Sequence, residues 1–346
     1  MEKEKIKRII DANVNRAVEG LRILEEIARF ILEDKETTNE LKNLRFKIRF
    51  FANQAAQKER PFIGREIKND VGRELYSRSE AKRKTVMAIF LANAKRVQEA
   101  LRVLEEFSKL TEPRWGKVLK SLRFKVYELE KMLYYSLIRK SKLDFDLYLI
   151  TDPKRDHLGV ARAAISAGVK IIQLRDKQAS KTKLLKWALK IAKLTRRSGI
   201  TFIINDYSDI ARKAKADGLH VGQADLKKIS IGQLRRELGE DKIIGISVEN
   251  VGQAIKGQKQ GADYIAVGPI FSTENKPESK ALGLKVLEKI VQAVTVPIVA
   301  IGGIDENNLE KVIKTGCCRV AVISAILGKK DLSKAIMKLR GKFKRP

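Results

Sequence analysis

The sequence predicts an α/β fold: a C-terminal (β/α)8 barrel over residues 143–346, preceded by an all-α domain over residues 1–142 made of a duplicated helical hairpin. Three observations carry this reading. From about residue 143 short apolar, β-rich runs recur eight times. Most neighbouring runs are separated by a stretch of helical period. The first 140 residues carry almost no strand signal and repeat themselves internally.

The eight runs are Leu147–Thr151, Ile171–Leu174, Thr201–Asn205, Gly218–Val221, Ile243–Val248, Tyr264–Gly268, Pro297–Ile301 and Arg319–Ser324. Each is apolar on both faces, as a strand buried between a filled interior and covering helices must be. Intervening stretches such as SKTKLLKWALKIAKLTRRSG and GLKVLEKIVQAV place apolar residues three and four apart. Eight such units form a closed parallel barrel of the TIM type. An open doubly wound sheet is the competing arrangement, but no GxGxxG follows the first run.

In the first 140 residues, DANVNRAVEGLRILEEIARFI (residues 11–31) returns as LANAKRVQEALRVLEEFSKL (residues 91–110), displaced by 80 positions. Asn13, Arg16, Glu19, Leu21, Arg22, Leu24, Glu25 and Glu26 recur as Asn93, Arg96, Glu99, Leu101, Arg102, Leu104, Glu105 and Glu106. A second pair, LKNLRFKI and LKSLRFKV, follows each copy. This pattern predicts two helical hairpins packed about a pseudo-twofold. The recurring polar residues read either as helix-surface ion pairs or as a polar pocket built twice. The connector PFIGREIKNDVGREL (residues 61–75) reads as an ordered loop.

Composition narrows the function classes. A hydrophobic content of 44% is that of an ordinary globular protein. No apolar run reaches the roughly 20 residues of a membrane span, and the start MEKEKIKRII lacks a signal-peptide core, so no membrane partner and a cytoplasmic location are expected. Only two histidines, His157 and His220, are present, which excludes chemistry built on several. Cys317 and Cys318 are adjacent and make neither a disulfide framework nor a zinc site; they read as small hydrophobes in a buried strand. The formal charge of +30 raises nucleic-acid binding. However, the cations are spread along the chain among 42 acidic residues, which fits a solvated surface attractive to anionic substrates, with no nucleic-acid partner.

A barrel of this kind carries its chemistry at the C-terminal ends of its strands. After the second run, alternation turns Gln173, Arg175 and Lys177 to one side. After the third and fourth come Asn205-Asp206 and Gly222-Gln223-Ala224-Asp225, whose two aspartates can share one hard cation. Magnesium suits such a pair, since it takes one or two carboxylates plus phosphate oxygens. The fifth run ends near Ser247. The sixth leads into Ser272-Thr273-Glu274-Asn275-Lys276, suited to phosphate oxygens. Gly302-Gly303 after the seventh lets backbone amides approach an anion, and Ile323-Ser324 after the eighth precedes a helix.

Taken in order, QLRDK, INDY, ADGLHVGQADL, GISVEN, VGPIFSTENK, AIGGI and VISAI resemble the successive motifs of the thiamine phosphate synthase family, across essentially all of residues 143–330. The resemblance implies a transferase of thiamine biosynthesis. It would join 4-amino-2-methyl-5-hydroxymethylpyrimidine diphosphate to 4-methyl-5-(2-hydroxyethyl)thiazole phosphate, releasing pyrophosphate and using one Mg2+ per barrel. It further implies that Gln173, Leu174, Arg175, Asp176, Lys177 and Asn205 hold the pyrimidine diphosphate, and that Asp206 and Asp225 hold the metal. Ser247 and Lys276 would contact the pyrophosphate, and Thr273, Glu274, Asn275, Gly303, Ile323 and Ser324 the thiazole phosphate. Arg175, Lys177, Ser247 and Lys276 would be the catalytic residues. Asn275 stands where many members have threonine, and its amide still donates to phosphate. The partners implied are small phosphorylated substrates, and a homo-oligomer is compatible with them.

The rival is the related barrel that tautomerises a thiazole carboxylate phosphate; it has no use for the paired aspartates or the pyrophosphate cations. His220, within GLHVGQ, reads as a residue that orients its neighbours at the strand end. The first 135 residues resemble the helical extension fused ahead of this synthase in cyanobacteria and some other bacteria, through DANVNRAVEGLRILEE, the NDVG loop and NAKRVQEALRVLEE. For that extension a hydroxymethylpyrimidine phosphate kinase role is implied. No GxxxxGK[ST] loop supports it, so a kinase and a non-catalytic docking module both stand.

Overall fold

The computed structural model describes residues 2–55, 83–273 and 280–343. The connector at 61–75 lies outside the described residues. The chain divides into two compact units, residues 1–137 and 138–346.

The first unit is helical. Helix α1 (Glu2–Glu26) ends in a π-helical turn (Ile27–Ile31) and is followed by α2 (Lys35–Ala55); α3 (Val86–Ser108) is followed by α4 (Arg114–Ser141). Asp34 starts α2 by accepting the Thr37 amide at 3.0 Å, and Thr85 caps α3 through the Ala88 amide. The repeated apolar stripe (Val14, Ala17, Leu21 and Leu24, with Ala94, Val97, Leu101 and Leu104) forms one buried core. At Gly20 the two equivalent helices α1 and α3 come so close that a Cβ would sit 2.6 Å from Val97 Cγ2. The repeated polar residues make equivalent bonds. Asn13 and Asn93 each donate to the carbonyl one turn back, at 2.8 Å. Buried Glu25 meets Arg22 and Arg45 at 2.9 and 2.7 Å; buried Glu105 meets Arg102 and Arg123 at 3.1 and 2.9 Å. Arg16, Glu19, Arg96 and Glu99 stay exposed. The duplicated glutamates thus tie the two helices of each hairpin together, which is the ion-pair reading of the repeat, though as buried ties rather than surface pairs.

The second unit is a TIM barrel. Its strands are β1 (Leu147–Ile150), β2 (Ile171–Leu174), β3 (Thr201–Asn205), β4 (Gly218–Val221), β5 (Ile243–Val248), β6 (Tyr264–Val267), β7 (Ile298–Ile301) and β8 (Val320–Val322). They pair in parallel in chain order, and β8 closes on β1. The helices are α5 (His157–Ser166), α6 (Lys181–Ser198), α7 (Ser208–Lys213), α8 (Gln223–Leu226), α9 (Ile231–Leu238), α10 (Val251–Lys259), α11 (Leu284–Ala293), α12 (Leu309–Ile313), α13 (Ser324–Leu327) and α14 (Leu332–Arg340). Alternation divides each strand between two cores. Leu149, Ile172, Phe202, Leu219, Ile244 and Ile265 pack outward among the helices. Tyr148, Ile171, Ile203, Ile243, Tyr264 and Val299 fill the interior. Strands β1, β6, β7 and β8 are shorter than their apolar runs. The Cys317–Cys318 pair falls before β8, not in a strand as expected; Cys317 is buried and Cys318 is exposed. Among the described residues no helix is long and apolar enough to cross a membrane.

Interior packing depends on one small residue. Gly245 lies beside Tyr264 in the β5–β6 register, and a Cβ there would come within 2.0 Å of the Tyr264 ring. Replacing Gly245 with alanine is therefore expected to lower stability by about 3 kcal/mol through overpacking, read as an earlier midpoint in urea denaturation.

Candidate active site

A cavity of about 320 Å3 opens at the C-terminal ends of the strands and is lined from all eight strand–loop junctions. Gln173, Arg175 and Lys177 reach it from β2 and the loop after it, Asn205 and Asp206 from the end of β3, and Asp225 from the one-turn helix α8 after β4. Ser247, Thr273, Gly303, Ile323 and Ser324 complete the sequence-predicted set that the cavity brings together. Glu274, Asn275 and Lys276 lie outside the described residues.

The side chains of two expected ligands, Leu174 and Asp176, do not line the cavity. Leu174 is the outward residue of its alternating strand and is buried against the helices. Asp176 turns away from the cavity and organises the loop: it accepts the Gln178 and Ala179 amides at 2.8 and 2.9 Å and pairs with His157 Nε2 at 3.1 Å. Burial pushes the Asp176 carboxyl up, but these amides and His157 outweigh it and hold it below its usual value. This loop places Arg175 and Lys177 on either side of a fixed point.

Asp206 adopts a left-handed backbone (φ 64°), unusual for a residue with a side chain. Its amide is held by the His220 carbonyl at 2.9 Å. Burial raises the Asp206 carboxyl pKa, and the neighbouring Asp225 carboxylate raises it further, against the pull of Lys177 and Arg175. Two carboxylates crowded together in this way suit a hard divalent cation, which would relieve their repulsion. Among the described residues no group of three or more acidic, histidine or cysteine side chains is arranged to hold a metal ion. A magnesium ion held here would take these two carboxylates, with further positions left for water and phosphate oxygens.

On the opposite arc of the barrel, Gly302 and Gly303 both have positive φ (98° and 62°). A Cβ on Gly303 would lie 2.4 Å from the Ser272 carbonyl oxygen. Only glycine admits this approach of the β7 loop to the β6 loop, which Ile270 and Phe271 secure by donating to the Ile301 and Gly302 carbonyls. Ile323 caps the one-turn helix α13 beside them, and the amides of a first helical turn lack helical acceptors.

Under the mouth runs a set of contacts that motif reading missed. Gln173 Nε2 donates to the Tyr148 hydroxyl at 2.8 Å, and Tyr148 meets the Tyr264 hydroxyl at 3.0 Å. Tyr264 meets His220 Nδ1 at 2.9 Å, and His220 Nε2 meets Ser247 Oγ at 2.9 Å. Both tyrosines are buried, and burial drives their pKa values well above ordinary. A tyrosine inside an apolar strand was the available signal, since a buried hydroxyl calls for a partner. His220 does orient a neighbour at the strand end, as expected.

The class these features define is a (β/α)8-barrel enzyme acting on phosphorylated small molecules, with its chemistry in the strand-end loops. Residues 147–326 match the family described as thiamine monophosphate synthase, and residues 8–132 match the ThiD2 family. The thiamine-phosphate synthase of Synechocystis sp. is 42% identical over 324 residues, covering 93% of this chain and 92% of that protein. That of Thermosynechococcus vestitus is 38% identical over 333 residues, covering 95% and 93%. A solved thiamine phosphate pyrophosphorylase from Pyrococcus furiosus is 35% identical with a TM-score of 0.54, covering 59% of this chain and 97% of that one. The chain belongs to the thiamine monophosphate synthase family.

The lowered pKa of Asp176 has a pH consequence. Its contribution to stability is fully present above the unfolded value of about 3.9 and fades as pH falls through the lower folded value. Denaturant titrations should therefore show Asp176→Asn less stable than the parent at pH 6, with the gap closing in strong acid.

Proposed function

We propose that the barrel condenses hydroxymethylpyrimidine diphosphate with hydroxyethylthiazole phosphate to give thiamine monophosphate and pyrophosphate. The observation that supports this is one cavity with two different polar arcs. Arg175, Lys177 and the aspartate pair come from β2 to β4, and the glycine loop and Ser324 from β7 and β8. A substrate with a diphosphate at one end fits the first arc, and one with a monophosphate fits the second. Membership of the synthase family supports the same assignment.

In the reaction the bond between the pyrimidine methylene carbon and the diphosphate oxygen breaks, with its electron pair leaving on pyrophosphate. The thiazole nitrogen supplies the pair for the new C–N bond. That nitrogen carries no proton, so no general base is required, which fits a site with a single histidine lining it. Arg175 and Lys177 stabilise charge as it develops on the leaving diphosphate, and Ser247 donates to it. Gln173 and Asn205 orient the pyrimidine, and the β7–β8 loops fix the thiazole phosphate so that its nitrogen faces the methylene carbon. Magnesium on Asp206 and Asp225 would neutralise diphosphate charge. Lys276 is assigned to the same diphosphate, and Thr273, Glu274 and Asn275 to the thiazole phosphate, on the strength of their motif. The retained aspartate pair favours this synthase over a thiazole tautomerase. We place the reaction in the cytoplasm.

For residues 1–142 we propose, from the ThiD2 match, phosphorylation of hydroxymethylpyrimidine phosphate to the diphosphate that the barrel at 143–346 consumes. A docking module is the second reading, favoured by the helix-tying role of the repeated glutamates.

Steady-state assays should show Arg175→Ala and Lys276→Ala lowering kcat by about 100-fold or more; near-normal turnover in either removes the assignment. Asp225→Asn should raise the magnesium concentration needed for half-maximal rate, and chelation should abolish activity. Arg175→Ala supplied with ATP and the pyrimidine monophosphate should accumulate the diphosphate if the helical unit is a kinase. No diphosphate would favour docking.

A further inference from the structure

The contacts beneath the mouth join five strands: Gln173 on β2, Tyr148 on β1, Tyr264 on β6, His220 on β4 and Ser247 on β5. Each hydroxyl has one hydrogen to give, and a neutral imidazole donates from one nitrogen and accepts at the other. The direction of the whole chain is therefore set by whichever end is fixed. An amide nitrogen donates and does not accept, so Gln173 Nε2 makes the Tyr148 oxygen an acceptor. A phenol oxygen can accept twice, but a buried hydroxyl hydrogen left without an acceptor is costly, so the favoured arrangement has Tyr148 give its hydrogen to Tyr264, and Tyr264 its own to His220 Nδ1. His220 is left protonated at Nε2, which donates to Ser247 Oγ. Ser247 already accepts there, so its hydroxyl hydrogen is turned out to the cavity it lines. The burial that keeps both tyrosines protonated supplies the hydrogens on which this count depends.

We propose that Tyr148, Tyr264 and His220 are positioning residues forming a one-way hydrogen-bond chain, which couples the amide that orients the pyrimidine to the serine that donates to the leaving diphosphate. With Gln173 Nε2 committed to Tyr148, its amide oxygen is left for a donor, and the pyrimidine's amino group is one. Binding the correct ring then holds the amide in the orientation that makes Ser247 a donor, ready for an anion rather than for a proton acceptor. The reversed amide would reverse every bond. His220 would carry its hydrogen on Nδ1, Ser247 would give its proton to Nε2, and the diphosphate would meet lone pairs. The inference rests on the role given to Ser247 above, but the direction of the chain is measured independently of turnover.

Because the chain has only two histidines, 15N-histidine labelling of the intact protein gives two imidazole systems, and His220→Gln identifies which is which. The expected result is His220 protonated at Nε2 and unprotonated at Nδ1. Protonation at Nδ1 instead overturns the proposal, whatever the activity. Tyr264→Phe keeps the ring that fills the space beside Gly245 while removing the hydroxyl. It should lower kcat about tenfold or more, as loss of a bond supporting charge would, with KM for the thiazole phosphate within about twofold of the parent. In a Ser247→Ala background Tyr264→Phe should cost nothing further, because the chain acts through that hydroxyl; multiplying effects overturn the coupling. Should Tyr264→Phe fold poorly, Tyr148→Phe cuts the same chain one bond earlier and carries the same expectation. An Nε2-protonated His220 in a protein with no synthase activity would instead leave the chain's direction intact and remove the functional reading.

Discussion

Tyr264 stands across the barrel axis in the space that Gly245 leaves open, and much of the site is arranged around that ring. A closed eight-stranded barrel has to fill its interior with side chains. Here part of the interior is filled by two tyrosines whose hydroxyls cannot be buried alone. Their need for partners draws in Gln173 from one side and His220 from the other. The residues that face substrate therefore stand on a floor whose polar atoms are already committed to one another. A bulkier residue than glycine at 245 would displace the ring, and with it the side chains at the mouth that are bonded through it.

Above this floor, charge is sorted by strand order. Cations and carboxylates come from β2 to β4, and backbone donors from β7 and β8, so the two ends of the cavity prefer different groups on their ligands. Asp206 is held in a left-handed backbone and crowded by Asp225, which makes the pair repulsive when empty of a cation and receptive to one. Asp176 shows the complementary use of a carboxylate. Its oxygens are spent on loop amides and on His157, so it shapes the loop rather than lining the cavity.

The helical unit uses its repeat differently. Glu25 and Glu105 are buried, and each is met by an arginine from its own helix and one from the partner helix of the hairpin. Breaking either set would leave a carboxylate in an apolar core, an expensive state. The doubled motif is thus explained by the demands of packing two similar hairpins, whatever reaction the unit performs in addition.

Local pattern alone determined the barrel, its eight strands and much of the polar lining of its mouth. Strand alternation and strand-end position are short-range properties, and Gln173, Arg175, Lys177, Asp206, Asp225 and Gly303 each sit in a motif that a few residues define. The family resemblance rested on the same local motifs. Alternation also placed Leu174 on the outer face, yet reading QLRDK as a single binding motif obscured this. Only the tertiary structure decided where Asp176 points, because besides the Gln178 and Ala179 amides just past the motif its carboxylate meets His157, 19 positions earlier. Only it brought Tyr148 and Tyr264, 116 positions apart, into one hydrogen bond. Such contacts depend on the closure of the sheet, which sets neighbours across the axis that no spacing along the chain records.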